Sequence, residues 1–503
     1  LSTPAVTVAG GTLDLNGFNE TNIGAVTLID GSIINGGGAA TLTSTATYTL
    51  EKGTVSAVLG GTVVAVIAKN TAGRVILSGD NTFSGTSATI TINAGYLNLR
   101  HNNALGAAAS ANTTTIAGGA SLELENGITI PAVKAITANG TGMANAGAIR
   151  SVNGTNTIGA NITLGTTNVR INADSGGLTI PSVSGNTFSS IFGGAGSVTV
   201  SGAIGTTSGT VTKDGAGTLT LNGTNTYTGT TTILAGTIVA SSSASLGDGS
   251  ATNTFIFRGG TLQASGTITS PSTRAFTLAS NATFDTNGNS ISIAGTVGSS
   301  GGLVKNGSGA LTITGAITLG GDFINNAGTV VTTSTPWTFS GTSNQSIDSL
   351  TTTGLVSMTK SAGTATFDGP VSGGGLTING AGGTLNLGTS LTHTFSGDVT
   401  LTAGTLEGSS STLNLSSTSA TAWNGNGALF TPGSSTVNFS GTNQTLAASN
   451  LVFNNLTFSG GGTKTLGSTL VVNGDLTNSS GTPTYATWNP SDKSKIGRAS
   501  CRE

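Results

Sequence analysis

The sequence predicts an all-β chain wound as a right-handed parallel β-helix (solenoid), with an array of β-sandwich domains as the alternative. Three observations lead there. Short runs alternate apolar and polar residues, as in Thr218, Leu219, Thr220 and Leu221, so one set of side chains shares one face of a strand. The runs are punctuated by pairs such as Asn222 with Gly223 and Ala235 with Gly236, which let the chain turn. The unit from Val211 to Ala240 then recurs along the chain, and a unit with one apolar stripe needs stacked neighbours to bury it. Stacking at about 4.8 Å satisfies each strand's backbone from the coils on either side. Coils of roughly 20 to 25 residues would make a rod on the order of 100 Å long. Sandwich strands alternate in the same way, and hairpin turns would favour them.

The first fifty residues carry the pattern at Gly11, Thr12, Leu13, Asp14 and Leu15, running into a turn at Asn16 and Gly17. Thr43, Thr45, Thr47 and Thr49 then alternate with other residues. An exposed flat threonine ladder could bind ice, but threonine also suits the outer face of any strand. The neighbouring units do not repeat the spacing, so the second reading is taken. Val55 to Ala68 is the most apolar run; Ser56, Gly60, Gly61 and Thr62 interrupt it, and it falls short of the roughly 20 residues a membrane helix needs. It reads as buried strand. From Ala111 to Gly205 short alternating runs continue, and Pro131 and Pro181 each close an Ile-containing run where a corner is expected.

The recurrence is visible by offset. Gly73, Leu77, Gly79, Phe83 and Gly85 lie 144 positions before Gly217, Leu221, Gly223, Tyr227 and Gly229. After a three-residue insertion, Gly95, Ala104, Leu105 and Gly106 lie 141 before Gly236, Ser245, Leu246 and Gly247. A shorter third copy begins at Leu303, where Lys305, Gly307, Gly309, Leu311 and Ile313 repeat Lys213, Gly215, Gly217, Leu219 and Leu221. Asn81 and Asn225 stand at matched positions before an aromatic and suggest ladders of corner amides. Beyond about residue 330 the character changes: Thr338, Phe339, Ser340, Gly341 and Gln345 recur near a 100-residue offset as Asn438, Phe439, Ser440, Gly441 and Gln444.

At Lys213, Gly215, Gly217, Leu219, Leu221, Asn225, Tyr227, Gly229, Ala235 and Gly236 the chain resembles the autotransporter-associated β-strand repeat, found in passenger regions of bacterial type V secreted proteins. It departs at Ile238, where that family usually has Leu. The upstream copy has Arg74 and Val75 in place of a small residue and Leu, and lacks the Lys-x-Gly lead-in. The resemblance covers about residues 1–330; 331–490 read as divergent Gly/Thr-rich β-solenoid repeats. Residues 491–503 read as a non-native, adapter-like tail, because Lys493, Lys495, Arg498, Arg502 and the sole Cys501 crowd into them. The resemblance implies a cell-surface, outer-membrane or secreted bacterial protein. It also implies an outer-membrane translocator or other anchor beyond this stretch, and an export signal upstream of it, since no charged and apolar leader pattern follows Leu1.

Composition bounds the function. Gly is 80 of 503 and charged residues are 7%, against about 25% charged in ordinary soluble chains, so helix is disfavoured throughout. Hydrophobic residues at 36%, spaced in short alternating runs, argue against disorder. A net charge of −2 gives no electrostatic footprint for nucleic acid or an anionic membrane. Without Cys501 the chain has no cysteine, as suits an exported protein that uses no disulfides.

Catalysis needs convergent titratable groups, and the sequence offers none. His101 and His393 fall in unrelated units and read as solvated strand-end residues. Asp80, Asp174, Asp214, Asp285, Asp322, Asp368 and Asp398 are scattered singly, often beside Gly or Asn, as turn residues are. Gly298, Ser299, Ser300, Gly301 and Gly302 match G-x-S-x-G formally, without the strand-to-helix elbow that motif requires. No catalytic, metal or cofactor-binding residue is assigned, and no cofactor is expected. The expected function is a structural stalk or adhesin presenting a repetitive surface to a host or environmental ligand such as a glycan, its repeats assisting outer-membrane transport. The alternative is a polysaccharide-acting β-helix lyase or hydrolase with its site outside the recognisable repeats.

Overall fold

The computed structural model describes residues 3–62, 65–85, 88–419, 421–425, 427–448 and 451–479. The tail at 491–503 lies outside them. Among the described residues the chain is all-β, a parallel β-solenoid of about 22 turns. Its only helical pieces there are single 3-10 turns at Met143–Asn145 and Ser243–Leu246. Strand after strand pairs in parallel, as in Leu219 opposite Ile238 and Leu413 opposite Val437. Hairpins would pair strands antiparallel, so the sandwich alternative falls.

The chain forms two compact units, one made of Leu1–Phe255 with Gly260–Ser265 and the other of Ile256–Gly259 with Gly266–Glu503. In the first unit, from about residue 113 on, a turn has three strands. Ile162–Leu164, Val169–Ala173 and Gly177–Ile180 make one turn, and Val183–Ser184, Ser190–Gly193 and Ser197–Val200 make the next. Ile162 sits opposite Val183, Ile171 opposite Phe192 and Leu178 opposite Val198, so the turn takes 20 or 21 residues. The apolar member of each alternating pair points inward: Leu219, Leu221 and Ile233 are fully buried, while Thr218, Thr220 and Thr232 are half-buried on the outside. Each such leucine contributes about 1.5–3 kcal/mol by leaving water. The strands end where Pro131 and Pro181 begin the corners.

In the second unit aromatic rings take over the interior. Phe323 meets Trp337 edge-on at 4.8 Å between centroids, and Trp423 meets Phe430 at 5.1 Å and Phe453 at 5.4 Å. Such pairs add roughly 0.5–1.5 kcal/mol each beyond their area. His393 belongs to this interior and is wholly buried, which corrects its reading as a solvated strand-end residue. Its ring lies 5.2 Å from that of Phe367, Nδ1 accepts from the Val371 amide at 3.1 Å, and Nε2 lies 2.7 Å from the Leu387 carbonyl. The strand position of His393 is an inward one, between Thr392 and Thr394, and the ring's polar atoms find backbone partners there.

Two further expectations change. Gly236 does take a positive φ of 71°, but Gly223 serves another need: a Cβ there would stand 2.0 Å from the Gly202 carbonyl oxygen. Asn81 and Asn225 do not stack amide on amide; their partners are backbone groups. The threonines between Thr41 and Leu50 are shared between two strands of different sheets, Thr41–Ser44 and Tyr48–Leu50, so they form no single flat ladder.

Candidate functional site

One outer face of the first unit gathers charges that lie far apart in the sequence. Its strands are Arg74–Leu77, Gly95–Leu99, Ala120–Leu124, Ile149–Ser151, Val169–Ala173, Ser190–Gly193 and Val211–Lys213. Parallel register stacks Asn98 on Glu123, Glu123 on Arg150 and Arg150 on Asn172. Glu123 is fully buried beneath arginines: Oε1 accepts from Arg74 at 3.0 Å and Arg150 at 2.9 Å, and Oε2 accepts from Asn98 at 3.1 Å. Arg150 also donates to Asp174 from Nε at 2.7 Å, and this carboxylate, with Glu123, holds its pKa above the ordinary arginine value. Arg100 pairs with Glu125 at 2.9 Å. Arg74 lies 4.8 Å over the Tyr96 ring.

Arg170 reaches across an intervening coil to grip Asp214 with both terminal nitrogens, at 2.6 and 2.9 Å. The coil between them contributes Gly193. A Cβ there would meet the Arg170 guanidinium at 2.2 Å and the Asp214 carboxylate at 2.3 Å, so only glycine leaves the pair its path. Asp174 and Asp214 are therefore members of an ion-pair ladder, correcting their reading as isolated turn residues. The others remain apart from it: Asp285 accepts from the Asn287 amide in a local turn, and Asp80 lies 3.7 Å from the half-buried His101. No grouping of three or more potential metal-ligating side chains occurs among the described residues. Spacing could not reveal this face, because its members sit 24 to 49 residues apart and meet only once coil length is known.

The Glu123 carboxylate faces two guanidiniums and an amide and has no exposure, whereas Arg74, Arg100, Asp174 and Asp214 stay partly exposed around it. Bidentate and shared arginine contacts give such pairs geometric specificity, and here they tie non-adjacent coils together.

A second recurring arrangement occupies the coil corners. Lys213 takes an inward position in its strand, stacked on Phe192 and Ile233. Its Nζ turns to the corner and donates to the carbonyls of Asp214 at 2.7 Å, Gly215 at 2.8 Å and Ala235 of the following coil at 3.4 Å. Burial pulls its pKa down to about 8, with Asp214 pulling up and Arg170 down. Lys305 repeats this with Asn306, Gly307 and Ala327, at 2.8, 2.6 and 2.9 Å. Lys69 repeats it with Thr71 and Ala94. The upstream copy thus keeps the lysine and lacks only the glycine that follows it.

The corner asparagines act in the same direction. Asn225 accepts from the Ile204 amide of the preceding coil at 2.7 Å and donates to the Ser245 carbonyl of the following one. Asn81 does likewise, to Leu59 and Ala104, both at 2.9 Å. The lysine and asparagine together fasten a coil to its neighbours through backbone groups that would otherwise be buried without partners.

The segments carrying these corners are the ones that match a known family, the passenger-associated-transport-repeat, over residues 68–99 and 211–240. That family is an autotransporter passenger repeat family. No curated protein and no solved structure matches the chain. The passenger repeats and the solenoid fold together fit an autotransporter passenger, and that family implies a surface or secreted bacterial protein. The third copy, at Leu303 to Ile313, lies outside the matched stretches but builds the same lysine corner.

Proposed function

We propose that this chain is the stalk or adhesive surface of an exported bacterial passenger, performs no catalysis, and presents its lateral faces to a host or environmental ligand such as a glycan. The observation that carries this reading is the pair of passenger repeats, each with a corner that binds its own coil to the next. Weak contacts repeated along the faces add through avidity. The same corners support a role in transport: a coil that gains partners only when its neighbour is laid down favours stepwise folding outside the cell, since each coil buries its apolar stripe against the one before. An outer-membrane translocator or another surface anchor is the partner this requires.

The test is an in-frame deletion of residues 211–240 in the intact gene, compared with an equal deletion in a non-repeat loop. The repeat deletion lowers the amount displayed on the cell surface more; undiminished display rejects the transport role. One observation favours a polysaccharide-acting enzyme instead, the convergence of Arg74, Glu123, Arg150 and Asp174 on one face. Its carboxylates are engaged by arginines, which favours the structural reading. A polysaccharide-cleaving activity lost on Glu123→Gln would reverse that preference.

A further inference from the structure

The repeat beyond residue 330 builds a corner that the passenger reading leaves unused. Phe339, Ser340, Gly341, Thr342, Ser343, Asn344 and Gln345 recur as Phe439, Ser440, Gly441, Thr442, Asn443 and Gln444, one residue shorter. Each copy joins the end of one strand, Trp337–Phe339 or Thr436–Phe439, to the start of the next, Gln345–Ile347 or Gln444–Ala447. The glutamine is almost fully buried and bonds in two directions. Gln345 Nε2 donates to the Leu319 carbonyl at 3.0 Å and Gln444 Nε2 to the Leu415 carbonyl at 3.0 Å, each on the preceding coil. Their Oε1 atoms accept from a lysine of the following coil, Lys360 at 2.9 Å and Lys464 at 2.8 Å. The neighbouring side chains repeat the pattern. The Ser340 and Ser440 hydroxyls donate to those same leucine carbonyls at 3.2 and 3.3 Å. Asn344 and Asn443 accept from the Thr364 and Thr463 amides, one coil on, at 3.0 and 2.9 Å.

We propose that this motif is a second coil-fastening repeat and serves export as the passenger repeat does, in a part of the chain that the family does not match. The export role itself rests on the passenger reading; the fastening rests on the bonds. The two devices use the same parts and face opposite ways. Lys213 serves carbonyls of its own coil and of the following one. Lys360 and Lys464 instead reach back to the preceding coil, to the carbonyls of Ser340 and Ser343 or of Gly441 and Thr442, besides the glutamine. Both lysines are fully buried and no carboxylate is among these partners, so the ammonium group is tolerated only once that corner stands. A coil bearing one of them is therefore laid down stably only on its predecessor. The glutamine passes the link to the coil before that, so the bonds from Lys464 through Gln444 to Leu415 span three coils. Gly441 leaves the glutamine its place, since a Cβ there would stand 2.9 Å from Gln444 Nε2. Lys360 and Lys464 are the buried lysines beyond Lys305 among the described residues, so this motif supplies the later coils with the contacts that stepwise folding outside the cell requires.

The experiment has a folding arm and an export arm. In the purified full chain, Lys464→Met is examined by native-state amide exchange. The Ser440 amide bonds to the Leu415 carbonyl and has no contact with Lys464, yet its exchange speeds about tenfold if Gln444 passes the link on. The Leu376 amide, in a coil the motif does not reach, keeps its rate. In cells carrying the intact gene, Gln345→Leu with Gln444→Leu is compared with Leu446→Ala or the milder Leu446→Val, whichever matches its loss of exchange protection; Leu446 is a buried core residue of the same strand. The glutamine variant is displayed at the surface in smaller amount than its matched core variant. An unchanged Ser440 amide, or display equal to that of the core variant, would overturn the proposal. The deletion of residues 211–240 in the same cells separates the two readings. If it lowers display and the glutamine variant does not, the proposal fails alone; if neither lowers display, the transport role of the passenger repeat fails with it.

Discussion

Asn225→Ala removes the corner amide and nothing else of size, so its cost can be worked from the bonds it makes. The side chain is almost fully buried and serves two backbone groups on different coils, the Ile204 amide at 2.7 Å and the Ser245 carbonyl. Leaving a buried donor or acceptor unsatisfied costs about 1–3 kcal/mol, so the two together cost about 2–6 kcal/mol. Stacked coils need not unfold as one, so a global midpoint is a poor reading. Native-state amide exchange at Ile204 reports the coil directly, and every 1.4 kcal/mol lost there speeds exchange about tenfold. Asn222→Ala, three residues earlier on the exposed corner, changes stability by no more than about 0.5 kcal/mol. Equal exchange at Ile204 in the two variants would refute the claim that Asn225 fastens neighbouring coils.

Leu221→Asp buries a charge among apolar neighbours and costs several kcal/mol, whereas Thr220→Asp, on the outer side of the same strand, costs little; urea titration of the two compares inside with outside. Gly193→Ala forces the Arg170 to Asp214 bridge apart and destabilises the first unit, and Arg170→Met with Gly193→Ala costs less than the sum of the singles, which a double-mutant cycle measures. Burial lowers the pKa of His393 below its ordinary 6.5, so near that pH the unfolded chain binds more protons than the folded one. Stability then falls as pH drops through 6.5, and His393→Gln flattens this part of the profile. Lys213 gives the same sign at the alkaline end: with its pKa at about 8 against 10.5, stability rises between those values, and Lys213→Met removes the rise.

Much of the solenoid was legible because inward residues announce themselves. Leu219 and Leu221 alternate with threonine, and nothing but a strand places them together on one side. The lysine corner was half visible: Lys213 and Lys305 stood out as repeated charges, but Lys69 was passed over because Thr71 replaces the following glycine. Its role depends on a backbone carbonyl one coil away, which no spacing reveals. The charged face was missed for the same reason. Glu123 meets Arg74 and Arg150 across 49 and 27 residues, and coil lengths vary, as 19 residues from Leu219 to Ile238 and 24 from Ile238 to Leu262 show. A fixed offset therefore cannot align outward side chains. His393 was misplaced because a histidine in a threonine-rich run looks polar, while its partners are a buried amide and a carbonyl.

The central claim is that this chain is carried to the outside of a bacterial cell as a passenger. Antibodies raised against the repeat at residues 211–240, applied to intact cells expressing the whole gene, test it most directly. Labelling of unbroken cells, removed by brief external protease treatment, is the result the account predicts; labelling that appears only after the outer membrane is permeabilised would contradict it.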